Sequence, residues 1–441
     1  MYIYLPQEVI DWVDRDFNKL KELVLEGGGK WSRTVEKRLR ERALFLIWYV
    51  ITRRLFPAKG ENGERLREKS SLREFVNIHR DELARYGGST HYYSIRRFLE
   101  QITVLEVNEA YSTGQPERKR DSFTKGYRLV GVFHSSRSIT RVKLSDPHLL
   151  RKLTSAKVGQ VPDYLHRYRR EVLSRVSLSE EAEESLLARQ GEYETLEFYR
   201  EIYPVYNQRR RDYLKLDGEG RLYHPFNSLS NGLRRFLRVD NRPEQPDWVE
   251  VDVSACYFFI FGAYLALEGH KGQDLVRFNA MANGGDLYTV LYDYCLGELM
   301  KQGRVGEVEE LEERYGGTKE LVKKAMLRSL NKRPKSNLSA SNQHRSLYRV
   351  AREFFPTVFG EVERLNREDN AVVYRTITRL ESSVMVEYLV PRALDLGLVF
   401  ITRHDGVICQ LQDAEAIRQL ILQGFRERLG REPNVHIKPV R

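Results

Sequence analysis

Cysteine is nearly missing from this 441-residue chain, with Cys256, Cys295 and Cys409 as the whole complement. Three widely spaced thiols in apolar surroundings give neither a disulfide framework nor the spacing of a zinc site, so a reducing, cytoplasmic setting is expected. An apolar run of the roughly 20 residues that a bilayer span requires is also lacking. The N-terminus, Met1-Tyr-Ile-Tyr-Leu-Pro-Gln-Glu, has neither the basic nor the apolar region of a signal peptide. No internal repeat or low-complexity tract is present, which excludes a solenoid and a disordered linker. Acidic charge is in deficit: 73 Lys and Arg face 62 Asp and Glu, for a formal net charge of +11. Such a balance points to a polyanionic partner, and without a membrane segment the expected polyanion is nucleic acid.

What is present is enough apolar and aromatic residue, 41%, to bury a substantial core, in a length that suits two or three domains. From about Lys30 to Arg54, residues Trp31, Val35, Leu39, Ala43, Leu46, Ile47, Val50 and Ile51 recur at helical spacing with Arg and Lys between them, an amphipathic helix with a basic face. Ser71 and Glu74 form a capping-box signature for a new helix. Leu83-Ala-Arg-Tyr-Gly-Gly-Ser89 then reads as a turn, Thr90 to Ile102 as a helix, and Val104 to Tyr111 and Gly126 to Val130 as two strands around a basic loop at Gln115-Pro-Glu-Arg-Lys-Arg-Asp. This order resembles a winged helix-turn-helix. Tyr92, Arg96 and Arg97 on its second helix are then candidates for nucleic-acid contact, and the basic loop is the candidate wing. Residues 135–215 read as Arg- and Glu-rich solvated helices, including 163–170 and 178–185, that bridge two domains or form a thumb.

The stretch Trp248-Val-Glu-Val-Asp-Val-Ser-Ala-Cys-Tyr-Phe-Phe-Ile-Phe261 reads as a buried strand carrying Asp252 and running into an apolar helix. Far downstream, Leu398-Val-Phe-Ile-Thr-Arg-His-Asp-Gly-Val-Ile-Cys-Gln-Leu411 is two β-rich runs joined at Asp405-Gly406, a strong hairpin signal. Each stretch puts one aspartate at a strand end or turn. Two carboxylates brought together this way hold two Mg²⁺ ions about 3.5–4 Å apart, the arrangement that serves phosphoryl transfer. Mg²⁺ suits so sparse a site because it keeps several waters and takes its remaining ligands from substrate phosphates. Taken singly, Asp252 equally ends a strand or caps a helix, and Asp405 equally forms a turn.

Between and around these two stretches, Gly285-Asp-Leu-Tyr-Thr289, Lys319-Glu-Leu-Val-Lys323 and Phe355-Pro-Thr-Val-Phe359 complete an order of motifs. From roughly Arg221 to the C-terminus this order resembles the polymerase core of the family A DNA polymerases and the single-subunit phage-type RNA polymerases. Asp252-Val-Ser254 is similar to their first palm motif, Asp-x-Ser, and His404-Asp405 to their His-Asp motif. The 285–289 segment is similar to Asp-Ile-His-Thr, 319–323 to the Arg-x-x-x-Lys of the fingers helix, and 355–359 to Tyr-Pro-x-Val.

The resemblance implies Asp252 and Asp405 as ligands of two Mg²⁺ ions, for which Mn²⁺ can substitute, with the Val253 carbonyl completing the second site. It also implies Lys319 and Lys323 on the triphosphate, Lys323 additionally as proton donor to pyrophosphate; Lys324 competes for that place within one residue of helix register. Asn331 stands where the family has the Tyr of Tyr-Gly, Lys319 where it has Arg, and Gly406 where it has Glu or Ser. Tyr257 stands where the DNA polymerases carry Glu beside the nucleotide sugar. An aromatic ring there excludes a 2′-hydroxyl and favours deoxynucleotides, although a buried tyrosine in an aromatic-rich helix is an equal reading. Arg221, Asn227, Asn231, Arg234 and Arg235 fall in the region that contacts primer and template backbones. Arg379 and Glu381 fall on the helix lying against the minor groove, or form an ion pair that supports the core, and His404 meets the primer-terminal phosphate.

The expected fold is α+β, a right-hand palm with helical fingers and thumb preceded by a winged-helix-like domain. The expected boundaries are 1–135, 136–220 for a helical linker or thumb, and 221–441 for palm and fingers. The expected activity is primer extension from nucleoside triphosphates on DNA by two-metal-ion catalysis, without proofreading because no exonuclease-like acidic cluster precedes Arg221. A duplex-binding module on a small polymerase core suits replication of a plasmid, phage or other mobile element. The alternatives are a non-catalytic DNA-binding initiator or regulator with a degenerate palm, and an RNA polymerase or primase.

Overall fold

The structure, a computed structural model, describes residues 1–55, 75–88, 90–108, 124–130, 138–154, 161–192, 195–208, 214–240, 247–285, 287–301, 303, 306, 327, 348, 351–367, 369 and 371–440. It is a mixed α+β protein, mostly helical with small sheets. No helix among the described residues is long and apolar enough to cross a membrane. The chain divides into two compact units, one built from Met1–Lys157, Ser177–Tyr213 and Ser228–Arg238, the other from Val158–Val176, Leu214–Asn227 and Val239–Arg441. Residues 136–220 therefore contribute to both units, and 228–238 belong to the first.

The first unit contains, in chain order, β1 (Tyr2–Pro6), α1 (Arg33–Leu55), β2 (Val76–His79), α2 (Arg80–Gly87), α3 (Tyr92–Gln101), β3 (Leu105–Asn108), β4 (Thr124–Leu129) and β5 (Ile139–Lys143). Helix α1 lies where the spacing of apolar residues places it. The basic face is interrupted in the middle, however, where Ala43 through Trp48 are all buried, and Arg53 beyond them is exposed. Glu41 ties α1 to the chain after β5, its carboxylate accepting from the backbone N–H groups of Ser145 and Asp146 (2.6 Å each).

The helix expected after Ser71 is not borne out where the chain is described: Val76–His79 is a strand, paired with β4 from Val76↔Tyr127 to His79↔Thr124. The expected turn at 83–89 is also corrected. Helix α2 runs through Gly87, its start capped by the His79 imidazole accepting from Asp81 N–H (3.2 Å), and the turn falls on Gly88 at φ +86°. Ser71 and Glu74 themselves lie outside the described residues, and the strand at Val76–His79 depends on a partner that local sequence does not reveal. Strands β2, β4 and β3 form one antiparallel sheet in that order. The basic loop at 115–121 lies outside the described residues.

The second unit contains β6 (Lys215–Leu216), β7 (Leu222–Tyr223), β8 (Trp248–Val253), α4 (Cys256–Leu267), α5 (Gln273–Gly284), α6 (Val372–Ser382), β9 (Phe400–Arg403), β10 (Gly406–Gln410), α7 (Ala414–Leu429) and β11 (Val435–Pro439). Its frame is a four-stranded antiparallel sheet in the order β9-β10-β8-β11. Directly opposed residues share a face in such a sheet. Val249, Val251, Val407 and Cys409 therefore line one side, all buried, and α7 packs against the same sheet. Gly424 lets α7 approach closely, since a Cβ there would sit 2.8 Å from the Tyr388 ring and 2.9 Å from Val384. Those two residues belong to a π-helical turn, Ser383–Tyr388, that continues α6.

The free edge of β9 is closed by side chains rather than by another strand. The Tyr168 hydroxyl donates to Phe400 O (3.2 Å) and accepts from Thr402 N–H (3.1 Å), while His224 Nε2 donates to Thr402 O (2.9 Å). Covering an edge in this way removes a template for unwanted strand pairing. Both helices read as solvated bury one face as well: Leu165 and Tyr168 are fully buried, and Glu183 is buried and paired with Arg141 (3.2 Å), while Asp163, Arg170, Glu180 and Glu184 stay exposed.

Candidate functional site

Asp252 and Asp405 come together at one end of the four-stranded sheet. Strands β8 and β10 pair from Trp248↔Gln410 to Asp252↔Gly406, and Val253 N–H donates to Asp405 O (3.2 Å), so the hairpin turn lies against the end of β8. The chain leaves β8 sharply. Ala255 takes the left-handed conformation (φ +47°), and α4 starts at the next residue. A non-glycine residue there costs about 1–2 kcal/mol, the kind of local strain that clusters at functional sites.

Gly406 faces Asp252 directly. A Cβ at this position would lie 3.0 Å from Val251 O and 3.3 Å from Asp252 Oδ1, so a Glu or Ser here would require these neighbours to give by a few tenths of an ångström. On the face that carries Asp252, β11 places His436 opposite Asp252 and Lys438 opposite Glu250. Lys438 Nζ lies 3.4 Å from Asp252 Oδ2, and Arg403 pairs with Glu250 at 3.1 Å. Burial pushes the Asp252 carboxyl up to about 6, the neighbouring Asp405 adds to the shift, and Lys438 opposes it.

A second cluster adjoins the first. Hairpin β6-β7 turns at Asp217, whose carboxylate accepts from the N–H groups of Glu219 and Arg221 (2.9 Å each). Gly220, at φ +81°, brings the turn to within 3.2 Å of Ser382, measured from a Cβ built on the glycine. Arg221 is buried, its Nε and Nη2 donating to Glu381 Oε2 (3.0 and 2.8 Å) and its Nη1 to Tyr374 Oη (2.8 Å). Its guanidinium also lies 5.5 Å from both the Tyr257 and Tyr374 ring centroids. Burial pushes Glu381 up to about 7, with Arg221 opposing and Asp405 adding to the shift. The buried Cys256 thiol is pushed well up by burial and by the charges of Glu381, Asp405 and Asp252, with Arg221 opposing.

The other residues singled out in the sequence divide into several groups. Arg221 is corrected from a backbone contact to an internal residue, because a buried guanidinium must keep its carboxylate. Asn227 is turned inward, its side-chain oxygen accepting from His224 N–H. Arg379 is exposed and paired with Glu219 (2.6 Å), while His404 is exposed and meets the Tyr223 ring edge-on (5.9 Å). Asn231, Arg234 and Arg235 fall in the first unit; Asn231 and Arg235 are exposed and Arg234 is buried. On α3, Arg97 is exposed, Arg96 pairs with Glu100 (3.5 Å) and lies over Tyr93, and Tyr92 is half-buried beside Arg80. Lys319, Lys323, Lys324 and Asn331 lie outside the described residues.

Lys438, Glu250, Arg403 and Tyr374 were not singled out in the sequence. The alternation in Val435-His-Ile-Lys is the signal that would have revealed β11, and with it Lys438. Among the described residues no three His, Cys, Asp or Glu side chains converge as a ready-made metal cage. Two oxygen-donor carboxylates whose repulsion is only partly offset by Lys438 nonetheless fit a hard divalent cation that keeps waters in its shell. No protein-family model matches the chain, and no curated protein matches it either.

Proposed function

We propose that the protein is a template-directed nucleotidyltransferase, a DNA polymerase without proofreading that extends a primer from nucleoside triphosphates. The observation that carries this reading is the apposition of Asp252 and Asp405, from stretches far apart in sequence, at the end of an antiparallel sheet backed by a helix. Such an architecture suits a polymerase palm. Asp252 and Asp405 would hold Mg²⁺ or Mn²⁺, with Lys438 moving off Asp252 as cation and substrate arrive. Bound there, the cations supply charge stabilisation for the attacking and leaving oxygens of the displacement. The chain's own part is to fix the two carboxylates in register and to present His404 and Arg379 at the surface nearby.

The first unit supports a nucleic-acid partner. Among the described residues its order α1-β2-α2-α3-β3-β4, with the sheet order β2-β4-β3, suits a winged helix-turn-helix, and Arg97 and Tyr93 are exposed on the second helix of the pair. The same observation favours the second reading, a DNA-binding initiator or regulator that uses this unit alone.

Extension of a labelled primer on a DNA template, with Mg²⁺ or Mn²⁺ and with deoxy- or ribonucleotides supplied separately, tests the proposal. Extension by the wild type that is lost in both Asp252→Asn and Asp405→Asn is the expected result. No extension under any condition, with duplex binding intact in all three proteins, selects the second reading.

A further inference from the structure

Two acidic and two basic side chains share the sheet face that carries Asp252, and their pairing is crossed. Strand register sets Arg403, Gly406, Asp252 and His436 in one row across β9, β10, β8 and β11, and Ile401, Ile408, Glu250 and Lys438 in the next. Each cation nevertheless pairs with the carboxylate of the other's row. Arg403 reaches Glu250 (3.1 Å) and Lys438 reaches Asp252 (3.4 Å), diagonal contacts that long side chains can make. Arg403 spans β10 to do so, where Gly406 in its own row has no side chain to obstruct it.

The two pairs differ in kind. Arg403 and Glu250 are each only about a quarter exposed, and one guanidinium N–H donates to the carboxylate within ordinary hydrogen-bond range. Lys438 is more than half exposed, and its ammonium stands beyond the usual range of about 2.7–3.2 Å from Asp252 Oδ2. An exposed pair of this sort adds little to stability, and a strongly hydrated ammonium on a flexible stem leaves its partner easily. The crossing therefore gives the held cation to Glu250, two residues back along β8, and the displaceable one to Asp252. Lys438 and a divalent cation carry like charge and compete for the same carboxylate.

We propose that Lys438 is the resident counter-ion of the metal site, a built-in competitor that a divalent cation must displace from Asp252, so that bare metal is held weakly. This rests on the nucleotidyltransferase reading, which puts the cation at Asp252 and Asp405. Removing the ammonium charge therefore tightens metal binding. Loss of a merely structural pair would instead loosen the strand ends and weaken it.

Binding of Mn²⁺ alone to the full chain, followed by the paramagnetic resonance of the free ion at fixed ionic strength, tests the proposal. Wild type, Lys438→Met, Lys438→Arg and Asp252→Asn are compared, each checked by thermal melting. Lys438→Met is expected to bind Mn²⁺ about tenfold more tightly than wild type, and Lys438→Arg, which keeps the charge, no more tightly. An affinity of Lys438→Met at or below that of wild type overturns the proposal, as does equal tightening in Lys438→Arg. If Lys438→Met does not fold, Lys438→Gln decides by the same comparison. Mn²⁺ binding that is unchanged in Asp252→Asn overturns the nucleotidyltransferase reading itself, a result separate from the others.

Discussion

Asp252 occupies a position that disfavours its own charge. Its carboxyl is raised because burial and Asp405 both disfavour its charge, and Lys438 offsets only part of this. Asp252→Asn removes the repelling charge at the site, so in chelated neutral buffer the variant should be more stable than wild type by about 1–2 kcal/mol while extending no primer. Paired melting curves and extension assays check this; a less stable variant would mean that the Lys438 pair outweighs the repulsion. Three residues along the chain, Ala255 holds a left-handed backbone that glycine adopts freely. Ala255→Gly relieves about 1–2 kcal/mol of strain and loses part of it to the greater freedom of the unfolded chain. A net gain of about 0.5 kcal/mol in denaturant unfolding is expected.

The sheet and its covering helices depend on two close fits. At Gly424, alanine would add about 1 kcal/mol of helix propensity, but its Cβ would meet the Tyr388 ring at 2.8 Å, and overpacking of this kind costs about 1–3 kcal/mol. Gly424→Val, with no better propensity and more bulk, should lower the melting temperature clearly, and Gly424→Ala should lower it less. The other fit is His224 at the β9 edge. Phe226 N–H donates to Nδ1 (3.3 Å), which leaves the proton on Nε2 for Thr402 O and makes the ring neutral. Burial lowers this imidazole to about 4, the bond to Thr402 O opposes the shift, and the nearby His404 adds to it. The unfolded chain, with an ordinary histidine near pH 6.5, binds the proton first. The stability gained from neutral His224 is thus fully present above about pH 6.5 and is lost as pH falls toward 4, by about 3 kcal/mol. Urea midpoints of wild type should fall between pH 7 and pH 4 more steeply than those of His224→Gln. Parallel slopes would place the acid sensitivity elsewhere.

Across the whole molecule, the net charge of +11 would set how the proposed nucleic-acid partner is met. Binding dominated by Lys and Arg on phosphates releases counterions, so duplex affinity should fall by orders of magnitude between about 50 and about 200 mM salt. Asp252→Asn should bind duplex as well as wild type or better, because it removes a negative charge near the substrate path. Fluorescence anisotropy at several salt concentrations measures both effects. A flat salt response would remove nucleic acid as the partner that the charge implies.

The extent of α1, the strand at Asp252 and the Asp405-Gly406 hairpin were determined by local sequence, because helical spacing, β-rich runs and an Asp-Gly turn act over neighbouring residues. Local pattern did not decide the strand at Val76–His79, whose partner lies some fifty residues away in β4, or the pairing of β8 with β11 that brings Lys438 to Asp252. It also could not show that Arg221 turns inward to Glu381, 160 residues downstream. An arginine reads alike in sequence whether it meets a phosphate or a buried carboxylate. Only the tertiary fold, by desolvating the guanidinium and supplying its carboxylate, decides between them.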